Sequence, residues 1–75
     1  MSELINDFGV AVRHFRDQRG WSQELLAEKA DLNRSYLGEV ERGRAIPSLA
    51  TAAKLAMALE LSLSGLLAHC ERKAA

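Results

Sequence analysis

Three stretches of the chain carry the same start-of-helix signal, and that repetition limits its fold more than any other feature. An apolar residue precedes a polar side chain able to accept a bond from a backbone N–H. A second apolar residue follows five positions after the first, where the opening helical turn brings the two together. Trp21, Ser22 and Leu26 form one such set, Leu32, Asn33 and Leu37 the next, and Leu61, Ser62 and Leu66 the third. Helices are therefore predicted to start near residues 23, 34 and 63. A fourth starts after Pro47 and Ser48 and runs to about Leu59, because proline ends the segment before it and serine caps the helix after it.

Ahead of these, Ile5, Phe8, Val12 and Phe15 form an apolar stripe at helical spacing, which predicts a helix from Ser2 to Arg19 that stops at Gly20. Five helices and no strand account for the chain, so the fold class is all-α. Leu25, Leu26, Ala30, Leu37, Val40, Leu49, Leu55, Leu59, Leu66 and Leu67 share that spacing and are assigned to the core. The fourth helix has only Thr51 and Lys54 as a polar strip among alanines and Met57, so it is expected to be covered on more than one side.

Seventy-five residues make one domain, 1–75, with one small core, near the size at which help from a partner subunit becomes useful. With 48% hydrophobic and 27% charged residues, the chain has the balance of a compact domain rather than a disordered tail. The N-terminus carries no secretory pattern and no apolar run approaches membrane-spanning length, which predicts a cytoplasmic or nucleoid protein with no membrane partner. Ten basic residues balance ten acidic ones, so bulk charge gives no support to nucleic-acid binding, and any such reading rests on where the charges sit. The lone Cys70 beside His69 lacks the spacing of a zinc site, and neither cofactor, small-molecule ligand nor metal is expected. His14, His69, Cys70, Ser22, Ser35 and the carboxylates form no nucleophile–base spacing, so no catalytic residue is assigned. His14, next to an inward helix position, is read as partly buried.

From Gln23 to Arg42 the sequence QELLAEKADLNRSYLGEVER reads as a short helix, a tight turn through Ala30, Asp31 and Leu32, and a second short helix. That is a helix-turn-helix layout over about residues 23–42. Together, RGWSQELLAEKADLNRSYLGEVERGRAIPSL and KLAMALELSLSGLL resemble the phage repressor and Cro family, often called Xre-type, over nearly the whole chain. The resemblance implies a five-helix, lambda-repressor-like DNA-binding domain that regulates transcription. Among small members, LNRSYLGEVERG is similar to the controllers of restriction-modification systems. Asp31 stands where the family usually has glycine, and aspartate tolerates the left-handed conformation better than most residues.

On the second motif helix, steps of about 100° place Leu37, Val40 and Glu41 on one side and Ser35, Gly38, Glu39 and Arg42 on the other. Gly38 is read either as a point of close approach to DNA or as a tolerated surface glycine. Recognition helices of this kind present their N-terminal residues to base edges, which makes Arg34, Ser35, Tyr36 and Glu39 the base-reading candidates. Arg34 suits guanine and Glu39 suits the amino group of cytosine. Tyr36 has three readings: a phosphate contact, a thymine-methyl contact, or a cover over the first motif helix. By resemblance, Gln23 and Asn33 bond flanking phosphates, and Arg42 and Arg44 are the basic phosphate contacts, with solvated surface charge as the plain alternative. The resemblance also pairs Arg16 with Glu41 as a structural ion pair, and the helical count independently puts Glu41 on the core side.

A neutral domain of this size makes few phosphate contacts, so a homodimer on near-palindromic double-stranded DNA is expected, with half-sites about 10 bp apart or a multiple of that. Helices 4 and 5, about residues 48–72, are its expected interface, with Met57, Leu61 and Leu63 at the contact. The rival reading is a protein-interaction or antitoxin module that uses the same fold with weak DNA affinity.

Overall fold

A computed structural model describes the backbone of residues 2–74 and the side chains of residues 3–70; the two terminal residues of the expected 1–75 domain lie outside that set. Five helices follow one another: α1 (Ser2–Gln18), α2 (Gln23–Ala30), α3 (Arg34–Glu41), α4 (Leu49–Ala58) and α5 (Leu63–Ala74). The described residues include no strand. α1 packs on α3 and α5, while α4 packs on α2 and α5. α4 buries Ala52, Leu55 and Ala56 but leaves Ala50 and Met57 exposed, so it is less covered than its alanines suggest.

Helix starts fall at Gln23, Arg34, Leu49 and Leu63, where caps and proline place them. The Ser22, Ser48 and Ser62 hydroxyls accept bonds from the N–H groups of Leu25, Thr51 and Gly65. Asn33 Oδ1 accepts from both Ser35 and Tyr36. α1 ends at Gln18 rather than Arg19, and α4 at Ala58 with Leu59 as its cap, shifts within the fraying of helix ends.

Three joints between helices are built alike. Each preceding helix ends in a left-handed residue, Gly20 (φ 70°), Asp31 (φ 56°) or Glu60 (φ 62°). The N–H of the next residue, Trp21, Leu32 or Leu61, then bonds back to a carbonyl of the last turn, at 3.2, 2.8 and 2.8 Å respectively. This is the Schellman closure, and the polar cap of the following helix comes immediately after it. The apolar residue therefore closes one helix and staples the next, packing on the core cluster in all three cases. The turn at Asp31 adopts the conformation foreseen for it; Glu60 does the same without any sequence signal.

Phe8, Ala11, Val12, Leu26, Ala27, Ala30, Leu37 and Val40 meet Leu55, Ala56, Leu59, Leu66 and Cys70 in one core. Four assignments change. Leu49 is 72% exposed at the first residue of α4, although its spacing placed it inside. Leu25 and Leu67 are half-buried, and His14 is exposed, stacked on His69 across the α1–α5 contact at 5.5 Å. Cys70 is fully buried and acts as a small apolar residue.

Two glycines are fixed by contacts. A Cβ on Gly9 would lie 2.3 Å from the Val40 carbonyl oxygen, so this glycine lets α1 approach the end of α3. Gly43 (φ 74°) closes α3, and a Cβ there would meet Asn6 Oδ1 at 2.9 Å.

Candidate nucleic-acid interface

α3 is oriented by a buried polar cluster. Glu41, whose side chain is 3% exposed, accepts from Arg16 Nε at 2.8 Å and Arg16 Nη2 at 3.0 Å. Gln23 Nε2 adds a third bond at 2.8 Å. Arg16 Nη1 also donates to the Trp21 carbonyl at 2.8 Å. The paired Glu41 carboxylate, through its hydrogen bonds and its charge, raises the Arg16 pKa against the opposing effect of burial, so the guanidinium stays charged. One carboxylate thus ties the last turn of α3 to α1 and to the first residue of α2. No described buried side-chain nitrogen or oxygen lacks a partner. The structure shows the Arg16–Glu41 pair that the resemblance implied.

The face of α3 opposite that cluster is a shallow concavity of about 250 Å³, lined by Gln23, Arg34, Ser35, Gly38, Glu39 and Arg42. Five of the eight expected DNA contacts meet here: Gln23, Arg34, Ser35, Glu39 and Arg42. Arg34 and Ser35 are exposed in the first turn of α3. The amide nitrogen of Gln23, expected at a phosphate, donates one N–H to Glu41, and the residue also lines the concavity. Asn33, an exposed residue, has its oxygen committed to capping α3. Tyr36 is half-buried against the core cluster and does not line the concavity, the position that covering the motif core requires. Arg44 is exposed beyond the concavity.

Glu39 and Arg42, assigned separate DNA roles on sequence, are bonded to each other, Arg42 Nη2 to Glu39 Oε2 at 2.5 Å. The Arg42 hydrogen bond, reinforced by the positive charges of Arg42 and Arg44, holds the Glu39 carboxyl below the ordinary glutamate value. Their spacing of three residues on one helix makes the contact readable in principle. Gly38 is buried, and the side chain over it is Arg42. It is therefore neither a bare surface glycine nor directly open to a ligand in this conformation.

Of the expected dimer residues, Met57 is 77% exposed, whereas Leu61 and Leu63 are half-buried against the core. Leu4, Ile46 and Leu49, also exposed, border a separate apolar groove of about 340 Å³ between α1 and the start of α4. Among the described residues, no group of three or more His, Cys, Asp or Glu is placed to hold a metal ion. No single helix there is long and apolar enough to cross a membrane.

Comparison with known proteins agrees with the helix-turn-helix fold. A family model described as helix-turn-helix matches residues 12–66. The immunity repressor of Bacillus phage phi105 is 43% identical over 58 residues, covering 77% of this chain and 40% of the repressor. Control protein C.BamHI of Bacillus amyloliquefaciens is 38% identical over 72 residues, covering 88% of this chain and 89% of that protein. The regulator SutR of Escherichia coli K12 is 34% identical over 85% of this chain, which spans only 36% of SutR. Among solved structures, the restriction-modification controller C.AhdI of Aeromonas hydrophila superposes with a TM-score of 0.81 at 42% identity, over 88% of this chain and 98% of that one. With its motif over α2 and α3, its five-helix frame and these relatives, the chain belongs to the Xre-type helix-turn-helix family.

Proposed function

We propose that the chain is a sequence-specific DNA-binding transcriptional regulator, acting as a homodimer on near-palindromic sites in the cytoplasm of a bacterium. The observation that carries this reading is the concavity on α3, where Arg34, Ser35, Glu39 and Arg42 share one face while Arg16, Gln23 and Glu41 hold the helix from behind. An exposed polar helix face on a rigid support is what major-groove readout requires. Arg34 reads guanine through its two-pronged guanidinium, and Ser35 reaches the adjacent base. Glu39 accepts from a base amino group, and Tyr36 supports the first turn beside them. Asn33, Gln23, Arg42 and Arg44 take flanking phosphates, Gln23 at the positive end of α2. The relatives named above, a phage repressor and restriction-modification controllers, support the regulatory role.

Dimerisation through α4 and α5 leaves α3 free, with Met57 as the exposed anchor and the half-buried Leu61 and Leu63 as the further contacts. Selection of duplexes from a randomised library at two salt concentrations tests the whole reading. An inverted repeat with half-sites about one turn apart, bound progressively less as salt rises, is the expected result. Folded protein that enriches no sequence at either concentration would instead favour a protein-interaction module. Sedimentation of the wild type and of Met57→Lys tests the interface, with a shift toward monomer expected in the variant.

A further inference from the structure

The centre of the α3 face is occupied by the protein itself. A Cβ on Gly38 would lie 3.2 Å from Arg42 Nη2, 3.5 Å from Nη1 and 3.6 Å from Cζ, so the guanidinium rests against the helix where the glycine leaves room. Glu39 holds it there at 2.5 Å, although both side chains are substantially exposed, 53% for Arg42 and 42% for Glu39. The donors and acceptors at the centre of the concavity are thus engaged with each other in an ion pair that binding can break, because exposed pairs are weak.

We propose that this pair is an exchange switch: the exocyclic amino group of a base, cytosine N4 being the fitting donor, replaces the Arg42 guanidinium on Glu39, and the released Arg42 moves to a phosphate. The proposal rests on the DNA-binding reading above and assigns Gly38 the role of seat for the resting guanidinium. Glu39 is held in its charged form, so it is ready to accept from an amino group without first losing a proton. Where the base opposite presents only an acceptor, the carboxylate gains no substitute donor and keeps Arg42. The phosphate contact is then lost together with the base contact. A mismatch at this one position therefore changes the number of phosphates engaged, which an independent base contact and an independent phosphate contact would not do.

Salt dependence reads that number directly, at a slope of roughly 0.9 per phosphate contact on duplex DNA. The experiment measures affinity by fluorescence anisotropy from 50 to 200 mM salt (about the range over which the slope is resolved), on the selected operator and on its single-base-pair variants. Wild-type protein and Glu39→Ala are compared, and the position where the variant loses base preference marks the base opposite Glu39. The wild type should show a slope shallower by about 0.9 per half-site when that base loses its amino group. In Glu39→Ala, which removes the acceptor and leaves Arg42 free on every site, the slopes should be parallel, with a cooperative thermal transition showing that the variant is folded. Parallel slopes in the wild type, or a slope difference that survives in folded Glu39→Ala, overturn the exchange. Failure of the folded wild type to bind any duplex selectively overturns the DNA-binding reading itself, a different and separately visible result.

Discussion

Replacing Arg16 by methionine removes two of the three donors to Glu41 and leaves Gln23 alone with a carboxylate whose side chain is 3% exposed. Stranding one partner of a buried pair costs about 3–5 kcal/mol. A domain of this length has about 4–11 kcal/mol in total, so the variant should retain at most part of its stability. At about 4–8 °C per kcal/mol for a small domain, the midpoint falls by at least about 12 °C. Urea unfolding followed by the fluorescence of Trp21, the single tryptophan, gives the loss directly. Urea is the suitable denaturant because it carries no charge to compete for the pair. The double variant Arg16→Met/Glu41→Leu removes both charges and should recover most of the loss, since apolar replacement of a whole buried pair is often neutral or better. Gln23→Ala, which leaves both Arg16 bonds in place but removes a bond to a buried carboxylate, should cost about 1.5–3 kcal/mol. A buried, coupled pair is refuted if Arg16→Met loses less than about 1 kcal/mol, a cost appropriate to an ordinary exposed pair, or if the double variant simply adds the two single losses.

Gly9→Ala should destabilise by about 3 kcal/mol or more, measured in the same urea assay, because the added methyl meets backbone that cannot rotate away. Leu49→Gln should stay within about 0.5 kcal/mol of the wild type, as suits a side chain already in water; a large loss would return this residue to the core. Glu60→Gly relieves a left-handed strain of about 1–2 kcal/mol against the higher entropy of glycine and the loss of an exposed pair with Arg19. A gain of up to about 1 kcal/mol in the thermal or urea midpoint is the expected balance. The Glu39 carboxyl, followed by carbon NMR during acidification, should titrate below the ordinary glutamate value and move back up in Arg42→Gln. Its folded value is depressed, so the contribution of the pair is present at neutral pH and is lost as the pH falls through that folded value.

Helix starts were readable because both halves of each signal lie within six residues, and the structure honours them at Gln23, Arg34 and Leu63. Glu41 was readable as a core-side charge because helical phase alone turns it inward. Leu49 has the same phase argument and breaks it for a local reason. A helical side chain leans over the turn before it, and the first residue of α4 has no such turn to cover. Glu60 carries no rule that marks a left-handed glutamate, so its conformation is visible only in the fold. Gly9 is invisible to spacing because its neighbours, the carbonyls of Val40 and Glu41, belong to a distant helix. At the candidate site, sequence named the participants but missed that Glu39 and Arg42 occupy each other, since roles assigned one residue at a time do not show competition between them.

The three like-built joints also bear on how chains of this shape can diverge. Loops normally absorb insertions, but here a single added residue at Gly20–Ser22, Asp31–Asn33 or Glu60–Ser62 would separate the helix-closing residue from the helix-opening one. The stretch from Arg44 to Ser48 carries no such double duty. Length variation should therefore collect there, beside the end of α3, so that the one segment free to be lengthened borders the surface where a new target would be selected.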